Sequence, residues 1–383
     1  MKIQLLARPD HSVFLYEELL RLGADVDYFT FNAFRSGSLL HTLWPSRRTV
    51  PSTAHTSLAF TAVGYPLAIL TPRLGARARR AELWLAARLL RPRSSEPPDI
   101  IHYWPFYFAP VVRRLKARRS VATLADFYEA EPSFANGLYR GAYEKAGIEF
   151  SEPFNELIDQ NEAFTFESNF VVASELTRHS YQRRFPEARI HVVPYGLMGQ
   201  RTTGRGTVPP RRRWVFAGRV CLEKGIDDLF EAMGRVPDLE LDLIGHMPPN
   251  QEAYLRRRAS NLPNVRFLGQ MRQVDVVRAL PRYDAFVLPS LCDNYSIAVT
   301  EALCAGLPVV VTDHCGNAGD VKTYGVGRVA RAGDPTSLAA ALAAVSTELR
   351  EDELSEGLRR FDADEAVRPY AARIVELYRS LIA

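Results

Sequence analysis

"AFVLPSLCDNYSIAVTEALCAGLPVVVTD", Ala285 to Asp313, holds a complete structural unit. Ala285–Leu288 is a short apolar run and Pro308–Thr312 is another, which predicts two buried strands. Between them a polar knot, Asp293-Asn294-Tyr295-Ser296, leads into a helical run with one acid, Glu301, among Ala, Val and Leu. Strand, helix and strand in that order imply a parallel crossover, and continuous apolar strands imply a sheet covered on both faces.

The same alternation runs outward in both directions. In the first half the strand-like runs are Lys2–Ala7, Asp25–Phe31, Asp99–Tyr103, Val121–Ala125, Phe170–Ala173 and Ile190–Pro194. In the second they are Trp214–Ala217, Glu240–Ile244, Val265–Leu268, Ala285–Leu288, Pro308–Thr312 and Gly327–Val329. Helical patterns fill several gaps, such as Val13–Leu22 behind a Ser12 cap. The expected fold class is α/β, with two Rossmann-like, doubly wound parallel-sheet domains. "YGLMGQRTTGRGTVPPRRR", Tyr195 to Arg213, has no apolar period and reads as an exposed linker. The expected division is 1–196, a linker 197–213, a second domain 214–364 and a closing helix within 365–383, with Val367, Tyr370, Ile374, Leu377 and Tyr378 near one face.

With 47% hydrophobic and 24% charged residues in a 383-residue chain, the composition is globular. A net charge of +4 is too weak to point to nucleic acid. It is compatible with anionic small ligands or an anionic membrane surface. The cysteines, Cys221, Cys292, Cys304 and Cys315, have no CxxC spacing and read as free thiols of a reducing cytoplasm. The start, "MKIQLLARPD", lacks the apolar core of a signal peptide, so the expected location is cytoplasmic. Ser52–Pro72 has no charged residue but carries several Thr and Ser and Pro66, so it reads as a buried or surface-lying helical segment rather than a membrane span. The arginine-rich stretch Arg73–Arg93 that follows reads equally as a peripheral membrane-surface helix or as a solvated helix face.

The acids of the opening stretch carry the functional reading. Open α/β sheets bind ligands beyond the carboxyl ends of their strands, and a helix start offers free backbone N–H groups to an anion. Asp293 stands beside that start. Glu301 lies eight residues on, about 12 Å along and about 80° around if the segment is helical throughout. Carboxylates accept hydrogen bonds from hydroxyls, not from phosphate. Hydroxyls flanking a diphosphate describe a nucleotide sugar. Cations for the diphosphate come from "VFAGRVCLEKGIDDLF", where Gly218 permits a tight turn after a strand and Arg219 and Lys224 follow. Such a site needs no metal and no cofactor.

These stretches, with "LELDLIG", "NVRFLGQM", "YDAFVLPS" and "VASELTRHSYQRRFPEARIHVVPYG", resemble the large family of retaining glycosyltransferases with the GT-B fold, in the group often called family 4. The resemblance covers Asn169 to the C-terminus well and the first half loosely. It implies two domains facing a cleft. The first domain would take the acceptor, the second the nucleoside-diphosphate sugar, and the last helix would cross back to the first. In that family a Glu-x7-Glu pattern marks the donor site; here Asp293 replaces the first Glu and Glu301 is the second. By the resemblance Arg219 and Lys224 would contact the diphosphate, Glu301 the ribose, Asp293 the sugar, and the backbone around Asn294, Tyr295 and Ser296 sugar or phosphate. His102 would take part in catalysis or serve as a hydrogen-bonded strand-end histidine. The family's glycine-rich loop after the first strand is replaced by "ARPDHSV", which leaves Asp10, His11 and Ser12 as acceptor-side candidates. Tyr103, Trp104, Phe106, Tyr107 and Phe108 would stack on an acceptor, line a lipid-facing cleft or pack the core. The implied activity is transfer of a sugar to an acceptor hydroxyl of a glycan or a glycolipid. The alternative is a non-catalytic nucleotide-sugar-binding protein of the same fold. Absence of GxGxxG after the first strand argues against a dinucleotide oxidoreductase. Two Asp-x-Asp strings, Asp25–Asp27 and Asp362–Asp364, are weak candidates for a metal.

Overall fold

The structure, a computed structural model, describes residues 1–7, 9–31, 34–35, 49–50, 55–57, 97–118, 120–150, 167–195, 210–363 and 370–383. At 9–12, 31, 34–35, 49–50, 55–57, 106–107 and 363 it describes the backbone alone. Residues 58–96, with most of the uncharged segment and the whole arginine-rich stretch, lie outside the described residues.

The first lobe is built on β1 (Lys2–Leu6), β2 (Asp25–Phe31), β5 (His55–Ser57), β6 (Ile100–Tyr103), β7 (Ala122–Phe127), β8 (Asn169–Val172) and β9 (Arg189–Val192), in the spatial order β5-β2-β1-β6-β7-β8-β9. Two short strands, β3 (Phe34–Arg35) and β4 (Thr49–Val50), pair with each other. The second lobe holds β10 (Arg213–Ala217), β11 (Glu240–Ile244), β12 (Val265–Gly269), β13 (Ala285–Leu288), β14 (Val309–Thr312) and β15 (Gly327–Ala330), in the order β12-β11-β10-β13-β14-β15. All the described pairings in both large sheets are parallel. The α/β class and the two doubly wound sheets are therefore as the apolar runs predicted. Each sheet reverses its winding once, between β1 and β6 and between β10 and β13, and ligand crevices form at such switch points.

Some local readings need correction. His55–Ser57, inside the segment read as helical, is a strand that pairs with β2. An exposed sheet edge offers a partner that sequence periodicity cannot reveal. The first helix begins at Pro9 rather than after Ser12. Proline suits a first helical position because the amide it lacks has no partner there anyway. The side chains of Asp10, His11 and Ser12 lie outside the described residues. The stretch read as an exposed linker is tied down at both ends, with Tyr195 and Arg211 buried; 196–209 lie outside the described residues. The Arg211 guanidinium donates to the carbonyls of Val345 (3.0 Å) and Leu349 (2.7 Å) at the end of the Pro335–Thr347 helix. A helix terminus presents carbonyls without intrahelical partners, and an arginine fork satisfies them.

Each lobe has its own core, and each core borrows from the other half of the chain. Tyr370, Ala371, Ile374, Val375 and Tyr378 of the Tyr370–Ile382 helix pack into the first lobe, as does Tyr295. Tyr143, from the first-lobe helix Pro132–Ala146, packs into the second. Among the described residues no helix is long and apolar enough to cross a membrane.

Candidate functional site

The site gathers at the carboxyl ends of β10 and β13. Past β10 the chain turns through Gly218 at φ +154°, and Arg219 follows. A short 3-10 turn, Leu222–Lys224, then brings Lys224 round, and Gly225 at φ +67° opens the Ile226–Met233 helix. A Cβ on Gly225 would lie 1.9 Å from the Pro289 carbonyl oxygen, so the turn after β10 presses directly on the end of β13. From β13 the chain runs through Asp293–Ser296 into the Ile297–Cys304 helix, whose N-cap Ser296 makes no side-chain cap bond. The first-turn amides are therefore not satisfied by the cap residue.

Lys224 Nζ lies 2.5 Å from Asp293 Oδ2. Burial by itself would lower the lysine pKa; the Asp293 charge and hydrogen bond more than offset it, and the net shift is upward. Lys224 is thus held as an ammonium. Arg219 lies 3.5 Å from Glu223 Oε1 and is half-exposed. Glu223 is buried. Burial would raise its carboxyl, but a backbone amide and Arg219, with bonds from Cys221 and Tyr143, hold it below the ordinary value. Tyr143 donates to Glu223 Oε1 at 3.0 Å and Gln251 to Oε2 at 3.3 Å.

Two adjoining cavities share Arg219. One, about 300 Å³, lies within the second lobe and is lined by Gly218, Gly245, Gln270, Gln273 and Glu301 among others. The other, about 370 Å³, lies between the lobes and is lined by Lys224 and Asp293–Ser296 on one side and by Tyr128, Glu129 and Tyr195 on the other. So Gly218, Arg219 and Glu301 come together in one cavity, and Arg219, Lys224, Asp293, Asn294, Tyr295 and Ser296 in the next. Glu301 Oε1 accepts from Gln273 Nε2 at 2.6 Å, and burial raises its carboxyl with that bond as a partial offset.

Within the Asp293–Ser296 knot the side chains divide their work. The Asn294 carboxamide oxygen accepts from Ser174 (3.2 Å) and from Thr177 of the first lobe, and its amide nitrogen reaches the Phe127 carbonyl at 3.4 Å. Tyr295 donates to Asp320 at 2.9 Å, and the Ser296 amide to Asn317 at 2.6 Å. Asn294 thus fastens the lobes together, while its neighbour Asp293 faces the cavity.

His102 is brought to neither cavity. It is fully buried on β6, with Nδ1 2.6 Å from the Tyr378 hydroxyl and Nε2 2.9 Å from Asp126 Oδ2, which Tyr370 also reaches at 3.2 Å. In this position it is a hydrogen-bonded strand-end histidine, with both ring nitrogens engaged inside the core. Its role is to tie the last helix to the first sheet. His102→Ala is expected to cost about 2–4 kcal/mol, since Asp126 and Tyr378 would lose a buried partner. Chemical denaturation reads that loss. Turnover per folded molecule should stay within a few-fold of the parent, and a thousand-fold fall would return His102 to the chemistry. Tyr103, Trp104 and Phe108 are core residues of the first lobe. Burial pushes the Cys221 thiol up to about 11 and Cys292 up to about 12, so neither is a nucleophile at neutral pH. Among the described residues no three His, Cys, Asp or Glu side chains converge as a metal site.

Sequence reasoning missed Glu223, Gln251, Gln273 and Tyr143. Glu223 sits inside the quoted "RVCLEKG", but its acidic sign hid its part in holding Arg219. The two glutamines and Tyr143 reach the site only through folding and carry no local signal.

Residues 211–348 match the family described as Glycosyl transferases group 1. Over 179 residues, 44% of the chain and 46% of the relative, the sequence is 32% identical to a phosphatidyl-myo-inositol mannosyltransferase of Mycobacterium leprae. Over 139 residues, 34% of the chain and 33% of the relative, it is 32% identical to a glycogen synthase of Mycobacterium tuberculosis. The chain spans about half or less of the length of these curated relatives. Among solved structures, sucrose-phosphate synthase from Thermosynechococcus elongatus superposes with a TM-score of 0.68 at 18% identity, covering 100% of this chain and 99% of that one. Anabaena HepE in complex with UDP superposes with a TM-score of 0.65 at 16% identity, covering 100% of both. At these identities the likeness establishes the fold. The chain thus has the two-lobed GT-B architecture, and the part of it that resembles the glycosyl transferases group 1 family, residues 211–348, falls in the second lobe.

Proposed function

We propose that this protein is a retaining glycosyltransferase that moves a sugar from a nucleoside-diphosphate sugar to a hydroxyl of a glycan or glycolipid. The observation that carries the reading is the Lys224–Asp293 pair, 2.5 Å apart at a helix start, beside an arginine common to two cavities. The nucleoside would occupy the cavity with Glu301, its ribose hydroxyls donating to the carboxylate. The diphosphate would lie along Arg219, Lys224 and the first-turn amides of the Ile297–Cys304 helix, and the sugar would enter the cavity between the lobes near Asp293. Negative charge grows on the diphosphate as the bond from the sugar's anomeric carbon to phosphate oxygen breaks. Donors already in place stabilise that charge with little reorganisation. The acceptor oxygen bonds to the same carbon, and its proton passes to the departing diphosphate. No metal enters this scheme. Support from relatives is that those named above are a mannosyltransferase and a glycogen synthase, and that HepE was solved with UDP and glucose.

The test is a panel of UDP-, GDP- and ADP-sugars read by thermal shift, followed by transfer from the best donor to candidate acceptors, with the anomeric configuration of the product read by NMR. Donor-dependent stabilisation and a product that keeps the donor's configuration are expected. An inverted product would overturn the retaining assignment, and absence of any donor shift would overturn the donor site.

Glu301 supplies a pH-dependent prediction. Its folded pKa is raised, so it contributes stability below its unfolded pKa and loses that contribution as pH rises through the folded value. Once ionised above that value, it costs stability while offering the better acceptor for ribose hydroxyls. Glu301→Gln should raise Tm slightly at pH 7, with the gap closing as pH falls to the ordinary glutamate range, and should weaken donor binding roughly 10-fold. Calorimetric titration of parent and variant between about pH 4 and about pH 8 checks both signs.

A further inference from the structure

The cavity between the lobes has a second wall that the donor does not explain. Facing Lys224 and Asp293 stand Tyr128, Glu129, Tyr139 and Tyr195 of the first lobe. Glu129 lies two residues past the carboxyl end of β7, where a doubly wound sheet presents ligand-binding groups, and it is exposed. The Tyr139 hydroxyl donates to the Cys292 carbonyl at 3.3 Å, next to Asp293, so this wall is held against the donor side. Burial is the chief cause that lifts the Tyr139 phenol pKa, and the charges of Asp293, Glu129 and Glu223 add to it. Glu129 therefore lies within electrostatic reach of the groups that frame the cavity. The Tyr128 and Tyr195 rings stand side by side at 6.4 Å between centroids, and Trp104 backs Tyr128 at 6.2 Å.

We propose that Glu129 is an acceptor-binding residue and that the reacting end of the acceptor is a polyhydroxylated ring, a sugar or cyclitol, without phosphate or carboxylate at that end. This rests on the transferase reading above. A carboxylate is an acceptor of hydrogen bonds, and vicinal hydroxyls donate to it. Phenol rings meet the C–H faces of a sugar ring and keep a polar group for its edge. An acyl chain would face a carboxylate and phenols, and an anionic group would meet the charge of Glu129. The hydroxyl so held lies in the cavity that Asp293 also lines, at its first-lobe wall.

The experiment compares parent, Glu129→Gln and Glu129→Ala with the best donor and a panel of neutral methyl glycosides, inositols and sugar phosphates. With neutral rings, Glu129→Ala should lower kcat/KM about 10- to 100-fold, mainly through KM for the acceptor. Glu129→Gln, whose amide oxygen still accepts, should recover part of it. The parent should prefer neutral rings to sugar phosphates, and Glu129→Gln should narrow that preference. Thermal shift by the donor alone should be the same in all three proteins. Unchanged acceptor kinetics in Glu129→Ala, with donor binding intact, would overturn this assignment and leave the transferase reading standing. So would a parent that turns over the donor but uses no ring in the panel. A parent that binds no nucleotide sugar would sink both.

Discussion

Lys224→Ala is expected to lower sugar transfer about a hundred- to a thousand-fold, the scale for removing one donor that stabilises charge developing in a transition state. The geometry adds to this. Lys224 Nζ lies 2.5 Å from Asp293 Oδ2, and both side chains are mostly buried. Removing the ammonium takes a positive charge from the proposed diphosphate site and leaves an uncompensated carboxylate there. A partly buried charge without a partner repels an anion more strongly than it would in water. The loss should therefore fall on both donor affinity and turnover. Lys224→Arg keeps the charge but brings a planar fork instead of a compact ammonium, so it should recover only part of the activity. Lys224→Ala combined with Asp293→Asn removes both charges and should bind donor more tightly than Lys224→Ala alone. Initial rates and donor titration of the three variants check this, and a Lys224→Ala protein within ten-fold of the parent would remove the lysine from the mechanism.

Gly245→Ala is expected to break the donor cavity by steric force alone. Gly245 has φ +151°, and a Cβ built there would lie 1.6 Å from the Gly218 carbonyl oxygen. The two glycines form the crossing where the ends of β10 and β11 meet. The Gly218 amide donates to the Ile244 carbonyl at 2.9 Å, the Gly245 amide to Gly269 at 2.9 Å, and the Val220 amide to His246 at 3.0 Å. No side chain can yield, because the contact is with backbone. Either the β11 end or the Gly218–Arg219 turn must move, and the second carries Arg219 away from its place between the cavities. The expected cost is about 2–4 kcal/mol, with donor binding weakened beyond a hundred-fold. Gly141→Ala is the internal control. Gly141 lies in the Pro132–Ala146 helix with nothing within 4 Å of a built Cβ, and should gain about 0.5–1 kcal/mol. Urea midpoints of both variants test the pair; a Gly245→Ala protein with the parent's midpoint and donor affinity would refute the close approach.

The site was partly legible from composition and spacing. That Arg219, Lys224, Asp293 and Glu301 would come to neighbouring cavities could be read from the chain, because each stands just past a recognisable apolar strand or in the helix that follows. His102 shows the limit of that logic. It too stands on a strand, but Tyr378, 276 positions away, and Asp126 occupy its nitrogens. Asn294 shows another. The resemblance gave a ligand contact to its backbone, and nothing along the chain showed that its carboxamide would reach Ser174 and Thr177. A single sequence records what a residue can donate or accept, not which distant partner reaches it first.

By itself the sequence determined the periodicities. Apolar strands alternating with amphipathic helices set the parallel doubly wound class, and the glycines marked where the backbone must turn, because those properties depend on residues near one another in the chain. Only tertiary structure decided which buried polar groups belong to packing and which face the cavities. It also decided that the last helix completes the first core, and that a tyrosine from each half packs into the core of the other. Those outcomes depend on long-range contacts. There burial makes each unpaired donor or acceptor costly, and pairing across the fold, not position along the chain, settles its role.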